Sequence, residues 1–484
     1  MKTPELLLPA GTLDKMRTAY AFGADAVYAG QPRYSLRARN NEFRLEELRI
    51  GIQEAHALGK KLFVASNLMP HNAKVKTYMA DMEPVIEMQP DALIMADPGL
   101  IAMVRERWPE MEIHLSVQAN TVNYAAVKFW KSLGLSRVIL SRELSLDEIE
   151  EIRQQCPDIE LEVFIHGALC MAYSGRCLLS GYFNHRDANQ GTCTNSCRWD
   201  YKVDGATEDG TGDIRKENHP LSNSLPPAGE RAIVPSPASG RGLGRGLAEN
   251  SQPEKLDFNF DKALSESALS SCGDQPRHPL ADQPYLISRP DHPGELMPVL
   301  EDEHGTYIMN SKDLRAVEHV ERLVKFGIDS LKIEGRTKSI YYVARTAQVY
   351  RQAIDDAAAG RPFNLSLLGA LDALASRGYT DGFLERHHTH EHQNYMQGHS
   401  ESTRQQYVGD IVSCANGIAE IDVKNKFQVG DRLEIIHPTG NHIVVLNEMR
   451  SLDGVALTTA PGSGHRVQIP LQGELSKGMI ARFL

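Results

Sequence analysis

The chain is poor in cysteine, with 7 in 484 residues. It also lacks any apolar run near the roughly 18 residues that a membrane-crossing helix needs. No Gly-x-Ser-x-Gly elbow and no His-Glu-x2-His occurs, so neither a serine hydrolase nor a zincin-type metallopeptidase has a motif to rest on. Positive charge is short as well. Lys and Arg number 52 against 63 Asp and Glu, a formal net charge of −11, which disfavours a protein that coats nucleic acid indiscriminately. An enzyme that grips one RNA through a local basic patch is still allowed. The odd cysteine count and uneven spread speak against a disulfide framework. The opening Met1-Lys-Thr-Pro-Glu-Leu-Leu-Leu-Pro has too short an apolar core for a secretory signal. A cytoplasmic, reducing compartment and no membrane partner are therefore expected.

The cysteines that are present are gathered. Four of them form Cys170-x6-Cys177-x15-Cys193-x3-Cys197, while Cys156, Cys272 and Cys414 are scattered. Four thiolates can complete a tetrahedral sulfur site, which suits zinc or an iron–sulfur cluster. A structural zinc site usually uses Cys-x2–4-Cys pairs, and only Cys193 and Cys197 resemble one. A four-iron cluster tolerates the irregular spacing better, so both metals stay open with iron–sulfur ahead.

Short β-type runs recur, nearly all separated by helix-length segments: Leu6–Leu8, Ala26–Ala29, Leu62–Ala65, Ala92–Met95, Ile113–Val117, Val138–Leu140, Leu161–Ile165 and Ser330–Ile333. Eight such strands predict a (β/α)8 TIM-barrel-like domain of the α/β class. Thr12 is placed to cap a helix from Thr12 to Phe22. Further helices are expected over Leu45–Leu58, from Asn310-Ser311-Lys312-Asp313 to about Phe326, and over Ile340–Ala359. The expected organisation is barrel over 1–205, a low-complexity and disordered insertion over 206–282, the rest of the barrel over 283–365, a linker over 366–406 and a small all-β barrel over 407–484. The insertion is densest in Ser, Pro and Gly around Ser236–Leu247, and Cys272 falls inside it. Closely spaced short strands with Gly and Asn turns mark the last domain.

A polar residue stands near the end of most strands: Asn67, Asp97, Gln118, Asn120, Arg142, His166 and Glu334. In a parallel barrel those ends share the face that carries chemistry. Glu162, Phe164 and His166 alternate along one strand, which predicts a carboxylate and an imidazole on one side as a general acid/base pair, or a satisfied core pair for Glu162. Lys332, Glu334, Arg336 and Lys338 follow the eighth strand, where Arg336 suits a carboxylate or phosphate. Candidate basic patches are Arg33, Arg37 and Arg39, and Lys332, Arg336, Lys338 and Arg345. Either is read equally as ordinary ion-paired surface. The run His387-His388-Thr389-His390-Glu391-His392 reads as a solvated linker.

At the cysteine run the sequence resembles the collagenase-like peptidase family, the thirty-second among peptidases of unknown catalytic type. The family pattern runs from Glu162 through Phe164, Gly167, Cys170, Gly175 and Cys177 to Ser180, and all of it is present. The resemblance extends to Glu5–Gly11, Gly23–Tyr28, Arg186–Asn189, Asn310–Asp313 and Lys332–Arg336, sparing only the stretch around Asn218–His278. It implies an enzyme that hydroxylates a wobble uridine of tRNA at C5 to 5-hydroxyuridine, since the most similar branch is linked to that product. It also implies a 4Fe-4S cluster on Cys170, Cys177, Cys193 and Cys197, and prephenate as a small anionic partner for Arg336 or Lys332. His166 is then expected to handle a proton, with Glu162 and Arg336 as further catalytic candidates. Many relatives carry another cysteine where this chain has Arg315. Older descriptions of the family imply a peptidase, and a structural zinc protein is a third reading.

Overall fold

The computed structural model describes residues 2–31, 33–35, 43–169, 173, 176, 312–376, 378–385, 404–473 and 475–484, with backbone alone for 202–208, 214–216, 285–289, 292–299, 301–302 and 305–306. Two compact units result, Met1–Asp200 with Ile308–Leu484, and Tyr201–Tyr307.

The first unit opens with β1 (Glu5–Pro9), α1 (Leu13–Ala21), β2 (Ala26–Gly30), α2 (Leu45–Ala57), β3 (Lys61–Ser66), α3 (Asn72–Glu87), β4 (Ala92–Met95) and α4 (Pro98–Arg107). It continues through β5 (Ile113–Leu115), α5 (Tyr124–Ser132), β6 (Arg137–Ile139), α6 (Leu146–Gln155) and β7 (Glu160–Ala168). After the second unit come α7 (Val320–Phe326), β8 (Ser330–Ile333) and α8 (Ile340–Ala358). Each strand pairs in parallel with the next, and β8 pairs with both β7 and β1, so the eight strands close a barrel. The (β/α)8 expectation therefore holds. Leu6, Leu8, Val27, Val64 and Leu161 are fully buried, as the near-continuous apolar runs of a parallel sheet require.

Helix starts follow the local chemistry. Thr12 accepts from the Lys15 amide, Asp97 from Leu100 ahead of a Pro at the first turn, and Ser339 from Tyr342. Asp97 thus caps α4 at the end of β4. The segment expected as a helix from Asn310 begins differently. Asp313–Arg315 is a strand, antiparallel to the end of β7, and the helix starts only at Val320. The cause is length: β7 outruns both neighbours, and its exposed backbone at His166–Ala168 takes this segment as a partner.

Within 366–406 the described residues include a helix, Ser366–Asp372, and a strand, Tyr379–Thr380, paired with Asp313–Arg315. From Gln405 the chain forms a curled antiparallel sheet of eight strands around Val408, Ile421, Leu433, Val467 and Ile480. In the second unit, Lys202–Glu208, Ile214–Lys216, Tyr285–Arg289 and His292–Val299 make a four-stranded antiparallel sheet. Most of 206–282, with Cys272, lies outside the described residues. No helix among the described residues is long and apolar enough to cross a membrane.

Candidate active site at the barrel mouth

The pleat decides which side chains enter the barrel. Ser330 lies opposite Glu162 and Lys332 opposite Phe164, and all four point inward. Glu162 is fully buried. One of its oxygens accepts from Lys332 Nζ at 2.7 Å and the other from Arg137 Nη1 at 3.0 Å. Arg137 also meets Glu5 at 2.6 Å and Glu160 at 2.7 Å near the strand starts. Burial alone would raise the Glu162 carboxyl, but Lys332 and Arg137 outweigh it and hold it below its ordinary value. Glu162 is therefore an ionised anchor inside the barrel, one layer beneath the rim.

Phe164 forms the next layer. Arg142, from the loop after β6, lies with its guanidinium carbon 3.8 Å from the centre of that ring. Its Nη1 donates to Ala168 O at 2.8 Å and its Nη2 to Glu334 at 3.3 Å. Glu334 belongs to the turn after β8. Its amide donates to His166 O at 2.8 Å, its carbonyl accepts from Tyr342 Oη at 2.7 Å, and Lys15 Nζ reaches Arg336 O at 3.4 Å. Gly335 takes φ +144°, open in practice only to glycine, which lets the chain turn sharply between Glu334 and Arg336. Arg336 then folds back over the mouth, 5.9 Å from the Tyr28 ring, against Gly30 and Ser35. A side chain at position 30 would occupy the place taken by Arg336 and Ser35. Asn67 completes the rim with a 3.1 Å bond to Ser116.

His166 does not join this mouth. The β7–β8 register skips Ile165, pairing Phe164 with Lys332 and His166 with Ile333, so a bulge turns the imidazole to the outer face. The expectation that 162, 164 and 166 share one face fails at that extra residue. His166 Nδ1 instead lies 3.2 Å from Tyr350 Oη on α8, within a cage of Tyr342, Tyr350 and Tyr379. Burial, with Lys338 and Arg315 nearby, pushes its pKa down to about 3. The side chain is neutral at ordinary pH.

The second basic patch also dissolves on folding. Lys332 is inside the barrel, Lys338 faces Asp313 at 3.5 Å, and Arg345 is buried against Glu434. Strand and helix geometry send these neighbours in sequence to different environments. Arg33 is exposed and paired with Asp81, while Arg37 and Arg39 lie outside the described residues. Arg315 is bound to Asp372 at 2.6 Å and lies over Tyr379. Cys170, Cys177, Cys193 and Cys197 lie outside the described residues, as does the His387–His392 run. Among the described residues no group of three or more His, Cys, Asp or Glu converges to hold a metal. The sequence reading missed Arg137, whose inward parity with His114 on the neighbouring strand is the signal that reveals it.

Comparison with known proteins places the chain in a family. The model of peptidase family U32 matches residues 11–227 and 266–394, and that of the family's C-terminal domain matches 403–482. The tRNA hydroxylation protein P of Escherichia coli is 56% identical over 98% of this chain and 95% of its own length. Its namesake in Haemophilus influenzae is 54% identical over 99% and 96%. The 23S rRNA 5-hydroxycytidine C2501 synthase of Escherichia coli is 36% identical over 41% of this chain and 30% of its own length. With both family models matched along most of its length, the chain belongs to peptidase family U32.

Proposed function

We propose that this protein is an enzyme that hydroxylates tRNA, acting at C5 of a wobble uridine to give 5-hydroxyuridine. The observation that carries the reading is the match, near full length on both sides, to tRNA hydroxylation protein P. The more distant match to a 5-hydroxycytidine synthase supports oxidation at a pyrimidine carbon. A polar mouth on a closed barrel suits a base taken out of its stack. The family's name speaks of peptidases, but the chain offers that chemistry neither a serine elbow nor a zincin helix.

Cys170, Cys177, Cys193 and Cys197 would hold a 4Fe-4S cluster, because an all-thiolate donor set suits it. When bound, the cluster supplies electron relay or activation of the oxygen donor. Arg336 holds an anionic group at the mouth, either a substrate phosphate or a carboxylate of a metabolite such as prephenate. Glu162 positions Lys332 beneath it. His166, neutral and enclosed, holds the end of β7 in place and carries no proton to substrate. The C-terminal sheet and Arg33 help to dock the RNA.

Deleting the gene and digesting total tRNA tests the proposal. The expected result is loss of 5-hydroxyuridine-derived nucleosides, restored by the wild-type gene. Unchanged nucleosides overturn it.

A further inference from the structure

We propose that the β5–β6 side of the barrel mouth reads the target base by its hydrogen-bonding edge. Gln118 and Asn120 accept from the ring N–H of a uracil-type base, and Arg142 Nε donates to one of its carbonyls. This rests on the reading that a tRNA uridine is the substrate, and it names the groups that choose it.

Buried polar atoms without partners are uncommon in folded proteins, and each costs about 1–3 kcal/mol. Four of them fall in one short arc here: Gln118 Oε1, Asn120 Oδ1, Thr121 Oγ1 and Arg142 Nε. The arc is a single piece of structure, because the Ser141 amide donates to Thr121 O at 3.1 Å and ties the turn after β5 to the loop after β6. Both loops leave the strand ends that open on the mouth.

The directions of Asn120 and Arg142 are set by bonds already made. Asn120 sits at φ 52°, ψ 52°, a left-handed conformation that asparagine tolerates better than most residues. Its Nδ2 donates to Gln118 O at 3.0 Å, which leaves Oδ1 as the end without a partner. Arg142 has both Nη atoms committed, to Ala168 O and Glu334, and its plane is fixed over Phe164. Its Nε–H is buried and has no partner.

Beside the Thr121 hydroxyl, which can donate or accept, two acceptors and one donor do not suit a carboxylate or phosphate, which the two amide oxygens would repel. They do suit uracil, whose N3–H donates and whose flanking carbonyls accept. Cytosine presents a lone pair at N3, directly against the amide oxygens. The opposite side of the mouth, with Arg336 beside Gly30 and Ser35, has the chemistry for an anion. A nucleotide therefore lies across the mouth, base toward β5–β6 and charge toward β8–β2.

The test uses the full-length protein and two short RNA stem-loops that differ only in uridine or cytidine at the wobble position, with dissociation constants read by fluorescence anisotropy. The wild type is expected to prefer the uridine loop about tenfold or more, the size of one well-placed hydrogen-bond difference. Gln118→Met, nearly isosteric but without an acceptor, brings the ratio toward one. Gln118→Glu keeps an acceptor and keeps the preference. Asn120→Gly retains the left-handed backbone and lowers the ratio, and circular dichroism melts confirm that each variant is folded. Equal binding of both loops by the wild type, or a ratio unchanged in Gln118→Met, overturns the assignment. If gene deletion abolishes the hydroxylated nucleoside while that ratio stays unchanged, the base contacts are wrong and the tRNA reading survives. If the nucleoside persists after deletion, the tRNA reading is what fails.

Discussion

Glu162 accepts a hydrogen bond from Lys332 Nζ at 2.7 Å across two neighbouring barrel strands, and both side chains are sealed from solvent. Arg137 holds the other carboxylate oxygen, so one negative charge is shared by two cations. Replacing Glu162 with Gln leaves both cations in the interior with that shared charge gone. Breaking a buried pair in this way costs roughly 3–5 kcal/mol. The expected outcome is a lower urea midpoint with an unchanged m-value. The paired change Glu162→Met with Lys332→Met should cost less than the sum of its parts, because neither charge is then stranded.

His166 makes stability depend on acid. Its folded pKa of about 3 lies below the ordinary imidazole value of 6.5, so between the two the unfolded chain binds the extra proton. The His166 contribution is complete above about pH 6.5 and is lost as pH falls toward 3, by up to about 1.4 kcal/mol per pH unit. His166→Gln should flatten that acid limb in denaturation curves taken from pH 7 to 4. An unchanged limb would place the acid sensitivity elsewhere.

How much of this could be read beforehand depends on whether local pattern and tertiary geometry agree. The eight strands were legible because apolar runs such as Leu6–Leu8 and Leu161–Ile165 are dictated by burial on both faces. Glu162 and Phe164 follow simple alternation, so their inward direction was legible too. His166 was not, because one inserted residue, Ile165, reverses the parity and no local signal marks it. Lys332 and Arg345 looked like surface cations, since the charges that compensate them come from Glu162 and Glu434, far away in sequence. Arg142 stood out as a strand-end residue, but its stacking on Phe164 depends on the closed barrel.

Gly30 offers a test of the anion side. A methyl group there would collide with Arg336 Nη1 and Ser35 Oγ, and the backbone of β2 cannot retreat within the barrel wall. Gly30→Ala should displace Arg336 and weaken binding of the substrate tRNA or anionic partner at least tenfold, with a smaller change in melting temperature. Binding as tight as the wild type would separate Arg336 from the site.

The cysteines give the metal prediction. Protein reconstituted anaerobically with iron and sulfide should show a brown chromophore and close to four iron atoms per chain, on the order expected for a single 4Fe-4S cluster. Cys170→Ala and Cys177→Ala should each lose both the colour and the acid-labile sulfide. A colourless protein that takes up zinc instead would support the structural zinc reading.

Arg345 on α8 ties the barrel to the C-terminal sheet. Its side chain is 2% exposed and reaches Glu434 at 2.6 Å and Gln405 at 3.2 Å, while Gln405 Nε2 donates to the same carboxylate at 2.7 Å. Tyr341, four residues earlier on the helix, stacks on Tyr407 at 5.1 Å between ring centres. Glu434→Ala removes the carboxylate that pairs with Arg345 and strands a buried cation, a change of roughly 2–5 kcal/mol. Arg345→Lys should not preserve the contact, because an ammonium cannot copy the two-pronged grip. The expected consequence is uncoupling: calorimetry of Glu434→Ala should resolve two unfolding transitions where the wild type is expected to show one. If the variant still melts in a single transition, packing of Tyr341 on Tyr407 and the apolar contacts of Ile436 and Met479 with the barrel core hold the domains together without the ion pair.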